Sequence, residues 1–252
     1  MGGVIHILTP EQDCEEVWRQ MAEQHPKFLR EYDLIGNYHA VREIVLGGSE
    51  SWAGVWKRFS PGPATLVADI GANAGIFAAA CASKKARVVA VEPYAVAFEM
   101  LLQLEKMVGI SPRHQAIADR NGTCEYRGNI SWLLGPPTLN GGIEGCGVRF
   151  SDTDHALAEI VECITLENLI ENLQWDCVKM DIEGAEAAVI LAAPEATLHQ
   201  IKFMYIEFHP WVPQALYDEM VCKLSANFNF EGASAPTPTG RWEAAYCTRR
   251  AM

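Results

Sequence analysis

The run TLVADIGANAGIF at residues 65–77 sets an apolar strand directly against the opening of a helix. Gly71 supplies the unusual φ that a tight strand-to-helix turn demands, Gly75 lets the backbone approach a ligand closely, and the helix start behind them offers unpaired N–H groups. A dinucleotide site is the obvious rival. Its G-x-G-x-x-G spacing is missing, because Asn73 stands where the second glycine belongs, and Asp69 beside the turn would repel a pyrophosphate. The same carboxylate attracts a ligand that carries an ammonium and a sulfonium, as S-adenosylmethionine does.

Downstream, short apolar runs alternate with helical stretches: VVAVEP, AVAFEMLLQLEKM, HQAIAD, ECITLENLIENL, DCVKMDIE, AEAAVILAA and KFMYIEFH. Nearly continuous apolar strands separated by helices predict an α/β fold, a mostly parallel sheet covered on both faces. The second run ends at Val91-Glu92-Pro93, placing Glu92 21 positions after Gly71, where this fold class sets an acid on ribose hydroxyls. The third ends in Ala118-Asp119, whose carboxylate can accept a hydrogen bond from an adenine amino group. The plainer account of Asp69, Glu92 and Asp119 is that each caps the element that follows. Strand context and spacing favour the cofactor at Asp69 and Glu92, and less strongly at Asp119, which precedes the turn Arg120-Asn121-Gly122.

Residues 121–154 are polar and glycine-rich and break this rhythm, most of all in GPPTLNGGIEGCG at 135–147. After a helix near 214–224, FNFEGA and WEAAYCT are separated by turn residues and predict an antiparallel hairpin at the sheet edge. Upstream, the mixed, Trp-rich residues 1–62 carry helical patterning near 15–24, 38–46 and 52–59. The break Ser60-Pro61-Gly62-Pro63 divides this N-terminal helical extension or cap from a cofactor-binding domain at 63–252. Such an extension suits either a lid or a homodimer contact.

With 32 acidic against 20 basic residues the net charge is −12, which disfavours nucleic acid and anionic membranes as partners. No run approaches the roughly 18–20 apolar residues of a membrane span. The opening MGGVIHILTPEQDCEE turns acidic before a signal peptide's apolar core can form, so a cytoplasmic protein is expected. The eight cysteines are scattered, without a C-x-x-C pair or zinc spacing, and most read as buried fillers.

Candidates for the reacting centre lie at two later strand ends. Alternation puts Lys179, Asp181 and Glu183 on one face, and Glu207 with His209 on another. His209 is the expected general base, since imidazole titrates near neutral pH, the alternative being a hydrogen-bonded structural histidine. Asp181 and Glu183 are expected to orient the acceptor, with Asp181 also reaching the methionine ammonium of the cofactor. They could also hold a divalent cation, but two carboxylates make an incomplete cage and no metal is expected. Lys179 reads as a buried ion-pair partner for Asp69, Asp181 or Glu207. Trp52, Trp56, His39 and Trp132 are candidates to line an acceptor pocket, although Trp52 and Trp56, four apart on one helix face, are equally explained by packing.

VADIGANAGIF (67–77), VEPYAVAFEMLLQ (91–103), AIADRNGT (116–123), TLENLIE (165–171) and KMDIEGAE (179–186) together resemble the FkbM family of S-adenosylmethionine-dependent methyltransferases, in the family's order. The resemblance implies the class I methyltransferase Rossmann-like fold, with a seven-stranded sheet and an antiparallel C-terminal hairpin. It also implies O-methylation of a hydroxyl on a polyketide, sugar or similar small metabolite. The alternative is a non-catalytic S-adenosylmethionine-binding module used for sensing or assembly.

Overall fold

The computed structural model describes residues 50–128, 141–143, 157–233 and 236–250. His39, Trp132, the patterning at 15–24 and 38–46, and most of the 135–147 loop fall outside them. The first half of the described chain contains α1 (Glu50–Arg58), β1 (Leu66–Ile70), α2 (Ile76–Ser83), β2 (Arg87–Val91), α3 (Ala95–Val108), β3 (Ser111–Arg113), β4 (Ala116–Ala118) and β5 (Gly122–Gly128). Then follow β6 (Gly141–Ile143), β7 (Leu157–Thr165), α4 (Leu166–Ile170), β8 (Cys177–Met180), α5 (Glu186–Ala192) and α6 (Glu195–Leu198). The chain closes with β9 (Phe203–Glu207), α7 (Gln214–Asn227), β10 (Phe228–Gly232) and β11 (Ala244–Arg249).

Seven strands form one sheet in the order β10-β11-β9-β8-β1-β2-β3. β3, β2, β1, β8 and β9 run parallel, while β11 is antiparallel to both β9 and β10. This is the class I methyltransferase fold, and its reversed C-terminal pair is the hairpin expected from FNFEGA and WEAAYCT. Among the described residues, no helix is long and apolar enough to cross a membrane.

Because the central strands are covered on both faces, alternate residues enter different cores. Ala68, Ile70, Val178, Met180, Met204 and Ile206 meet Ile190 of α5 and Met220 and Leu224 of α7. Val67, Val88, Cys177 and Tyr205 point the other way, toward Phe77 of α2 and Leu101 and Leu104 of α3. Helix α2 (IFAAACAS) is built almost wholly from small residues because it is buried on nearly every side. Trp52 and Trp56 of α1 cover its Phe77 from outside, with ring centroids 5.7 and 5.6 Å away.

Helix α1 is thereby part of the second core. Val55 is completely buried, and a Cβ on Gly54 would stand 1.9 Å from the Tyr246 hydroxyl, so glycine is what lets the helix lie against β11. Trp52 is also buried, with its ring 4.8 Å from that of Tyr205, which favours packing over pocket lining at this position.

The run HQAIAD does not form one strand of the main sheet. Ser111-Pro112-Arg113 takes the edge beside β2, where a proline that cannot donate a hydrogen bond is tolerated. Ala116–Ala118 turns away and pairs with β7 in a second, four-stranded sheet of order β4-β7-β5-β6. The region from Asn121 onward therefore contains strands as well as loop. Buried Cys124 and Tyr126 alternate with less buried Thr123 and Glu125, a period-2 pattern in GTCEYRG.

Candidate functional site

The carboxyl ends of β1, β2 and β8 meet where strand order reverses about β1, the usual ligand crevice of an open parallel sheet. The turn after β1 is fixed first. Gly71 and Ala72 both donate to Val91 O at 3.0 Å, and Gly71, Asn73 and Gly75 all take left-handed φ values, 70°, 50° and 78°. A Cβ on Gly71 would lie 1.8 Å from the Asp181 carbonyl oxygen, so the turns after β1 and β8 touch only because Gly71 has no side chain. Gly75 has a packing reason too: its Cβ would meet Leu104 Cδ1 at 2.4 Å, where α3 crosses the start of α2.

Glu92 ties the first two turns together. Its Oε2 accepts from Asn73 N and its Oε1 from Tyr94 N, both at 2.8 Å. The side chain is buried, and burial pushes its carboxyl up to about 7 against the pull of those two N–H groups. Each oxygen keeps a second lone-pair direction.

An open cleft runs along these turns. Ile70, Gly71, Asn73 and Glu92 line one stretch, Ile117 and Tyr126 a second, and Asp181 and Glu183 a third. Tyr126 stacks on Tyr94, ring centroids 5.8 Å apart, as part of that wall.

Asp69 and Lys179 lie behind the lining. Asp69 is fully buried; its Oδ2 accepts from Ala78 N of α2 at 3.0 Å, and its Oδ1 has no hydrogen-bond partner. The Lys179 ammonium sits 3.4 Å from Asp69 Oδ1 and 3.6 Å from Asp181 Oδ2, and donates to Gly71 O at 2.6 Å. Burial opposes its charge, but Asp69, Asp181 and Glu207 outweigh burial and hold it above its ordinary range. It is the ion-pair hub expected from the sequence, with both Asp69 and Asp181 in reach.

At the far end of the cleft an acidic cluster surrounds His209. The β8–α5 turn is sharp: Glu183 and Gly184 take φ values of 55° and 102°, so the turn, and not strand alternation, places Glu183. His209 Nε2 faces Glu183 Oε2 at 3.3 Å and Asp181 Oδ1 at 3.6 Å, while its Nδ1 lies 2.9 Å from Glu186 Oε1. Burial disfavours the imidazolium, yet the Glu186 hydrogen bond and the charges of Glu186, Glu183 and Asp181 raise it to about 9. Burial lifts Glu183 to about 7 despite His209. The half-buried Glu207, beside Asp181, is also raised to about 7 by its partial desolvation and that neighbouring charge, and accepts from Tyr205 Oη at 3.0 Å. The half-exposed Trp211 rests its ring 4.8 Å from that of His209 and donates to Glu183 O.

The structure thus brings Gly71, Asn73, Glu92, Asp181 and Glu183 to one cleft, with His209 against its acidic end. Asp69 and Gly75 support the turn from behind. Asp119 is exposed, paired with Arg120 at 2.8 Å, and is not among the lining residues. Tyr126 and Glu186 were not singled out from the sequence. Tyr126 sits in a stretch read as irregular, and Glu186 is the last residue of KMDIEGAE, where it reads as an ordinary first-turn helix acid. Asp181, Glu186 and His209 offer metal-ligand atoms within 4.8 Å of one another, but the Glu186–His209 hydrogen bond already occupies one edge of that triangle.

The family described as "Methyltransferase FkbM domain" matches residues 69–230. Among solved structures, the chain is similar to the precorrin-6y C5,15-methyltransferase of Geobacter metallireducens GS-15, at 11% identity over 79% of this chain and 88% of that one, TM-score 0.42. It is similar to a TehB-like SAM-dependent methyltransferase of Corynebacterium glutamicum, at 9% identity over 95% and 98%, TM-score 0.42. An rRNA methylase of Streptococcus thermophilus follows at 11% identity over 83% and 98%, TM-score 0.45. No curated protein matches the chain.

Proposed function

The chain belongs to the FkbM-domain family of S-adenosylmethionine-dependent methyltransferases, and on that premise we propose that it methylates a hydroxyl oxygen of a small metabolite. The observation that carries this reading is the pairing, in one cleft, of a Glu92-lined end with an Asp181 and Glu183 end against which His209 is set. The donor set suits the cofactor. Free lone pairs on Glu92 match a ribose diol, and the carboxylates of Asp181 and Glu183 match an ammonium and a sulfonium.

When bound, S-adenosylmethionine supplies an electrophilic methyl group on sulfur. The chain's own residues do the rest. Glu92 fixes the nucleoside end, and Lys179 holds Asp181 and the Gly71 turn in place. His209 Nε2 would take the acceptor's proton as that oxygen receives the methyl group. Glu186, Glu183 and Asp181 stabilise the imidazolium so formed. Because those carboxylates also hold the resting ring protonated to about pH 9, turnover should rise with pH toward that value.

The test is calorimetric binding of S-adenosylhomocysteine to the wild type and to Glu92→Ala, followed by a panel of hydroxyl, amine and carboxylate acceptors with S-adenosylmethionine. The expected result is a binding constant at least about 10-fold weaker in the variant, one good hydrogen-bonded contact at roughly 1.4 kcal/mol, and product from hydroxyl acceptors alone. Methylation confined to amines or carboxylates would refute the hydroxyl assignment. Cofactor binding without any transfer would favour the non-catalytic module.

A further inference from the structure

Glu186 is the most deeply buried carboxylate of the acidic cluster, with no solvent exposure, and the steps above use it only as a charge. Its Oε1 accepts from Ile182 N at 3.0 Å and Gly184 N at 3.2 Å, which pins the turn carrying Asp181 and Glu183. The same oxygen meets His209 Nδ1 at 2.9 Å, which pins the ring beyond β9. One atom on α5 therefore sets the relative positions of residues from two different strand ends.

The other oxygen argues that its charge is used. Oε2 is buried with no hydrogen-bond partner, a cost of about 1–3 kcal/mol or more for a charged group. A residue needed only to cap the turn would serve equally well as a neutral glutamine, whose carbonyl oxygen accepts the same two N–H groups. A carboxylate there earns its desolvation only against a partner that gains from negative charge, and His209 is that partner.

We infer that Glu186 is the positioning residue of the acceptor site: it holds His209 with Nδ1 protonated and turned inward, so that Nε2 alone faces the acceptor beside Asp181 and Glu183. A carboxylate on one ring nitrogen fixes the tautomer and leaves the other nitrogen to exchange a proton. This rests on the methyl-transfer reading, and adds to it a residue that never touches the acceptor. Among the described residues, the groups that face His209 are Glu186 from α5, Asp181 and Glu183 from the β8–α5 turn, Glu207 from β9 by charge, and Trp211 from its own loop. Arg241 donates to the His209 carbonyl oxygen at 3.1 Å and steadies the backbone from the hairpin side.

Glu186→Gln is the decisive variant, because it keeps an acceptor for Ile182 N and Gly184 N and removes only the charge. Nitrogen-detected NMR of the histidines, with His209 assigned by loss of its signals in His209→Gln, reads tautomer and titration directly. In the wild type the neutral ring should carry its proton on Nδ1 and titrate near 9, and in Glu186→Gln the midpoint should fall by at least about one pH unit, a 10-fold change in proton affinity. S-adenosylhomocysteine should bind the variant within about 3-fold of wild type, a difference of less than 1 kcal/mol. An unmoved midpoint, or a wild-type ring protonated on Nε2, would overturn the assignment and leave Glu186 a turn cap. Failure of the wild type to bind S-adenosylhomocysteine would instead count against the cofactor reading. A Glu186→Gln protein that no longer folds sends the question to His209→Gln, whose urea stability should then drop when Glu186 is left without its partner; an unchanged stability would also refute the pairing.

Discussion

Glu92 accepts N–H groups from two turns and is buried enough to sit near 7 in place of its ordinary 4.5. A carboxyl whose pKa is higher folded than unfolded binds more protons in the folded state between the two values, so its contribution is most favourable below about 4.5 and declines as pH rises through about 7. The full shift corresponds to roughly 3 kcal/mol. In urea melts of the ligand-free protein, Glu92→Gln should therefore gain on wild type between pH 5 and pH 8; a constant difference would show that Glu92 does not titrate in this window. Cofactor affinity should run the opposite way and weaken on acidification, because only the carboxylate can accept from both ribose hydroxyls. The place of Glu92 in the cleft was legible from strand context and spacing, as were those of Gly71 and Asn73. Glu186 and Tyr126 were not, because their importance comes from what they touch across the fold: Glu186 reaches His209 23 positions away, and Tyr126 reaches the cleft from the second sheet. Asp119 shows the converse, a well-spaced acid whose side chain turns out to Arg120.

The alternation of apolar strands and helices was enough to locate β1, β2, β8, β9 and the final hairpin, since each is a mostly apolar or alternating run bounded by a helix or turn residues. It failed at Ser111–Ala118, where two three-residue strands enter different sheets. Runs that short carry no period, and only the pairing partner tells them apart. Helix α1 was visible as a helix, but its place was not, because an amphipathic face does not say which surface it covers. Trp52 meets Phe77 and Tyr205, and Arg58 both stacks on Tyr246 at 4.1 Å and pairs with Glu231. If this helix is integral to the domain, Trp52→Ala should cost about 3–5 kcal/mol in chemical denaturation, as for other large core truncations. The partly buried Trp56 should cost less when changed in the same way. A loss below about 1 kcal/mol for Trp52→Ala would mean that residues 50–58 form a detachable cap.

Across the whole molecule, the cleft is assembled from segments far apart in the chain. Ile70, Gly71, Asn73, residues 91–93 and 115–117, Tyr126 and residues 181–183 all line it, and the sheet order that gathers them could not be read from local patterning, because periodicity identifies a strand without naming its neighbours. Most of the folded domain is therefore coupled to whatever fills the cleft. The unfolded chain has no such site, so a ligand bound only to the folded form stabilises it by about 2.7 kcal/mol at a concentration 100 times its dissociation constant. For a chain of this length that is a rise in melting temperature on the order of 5–10 °C. S-adenosylhomocysteine should produce that rise and show a single unfolding transition, and NADH should produce none, since Asn73 replaces the second glycine that a pyrophosphate-binding turn needs. Two transitions, with only one moved by ligand, would show that the second sheet or the C-terminal hairpin melts independently of the cleft. An equal response to NADH would mean that the turn after β1 accepts pyrophosphate, against the argument from its glycine spacing.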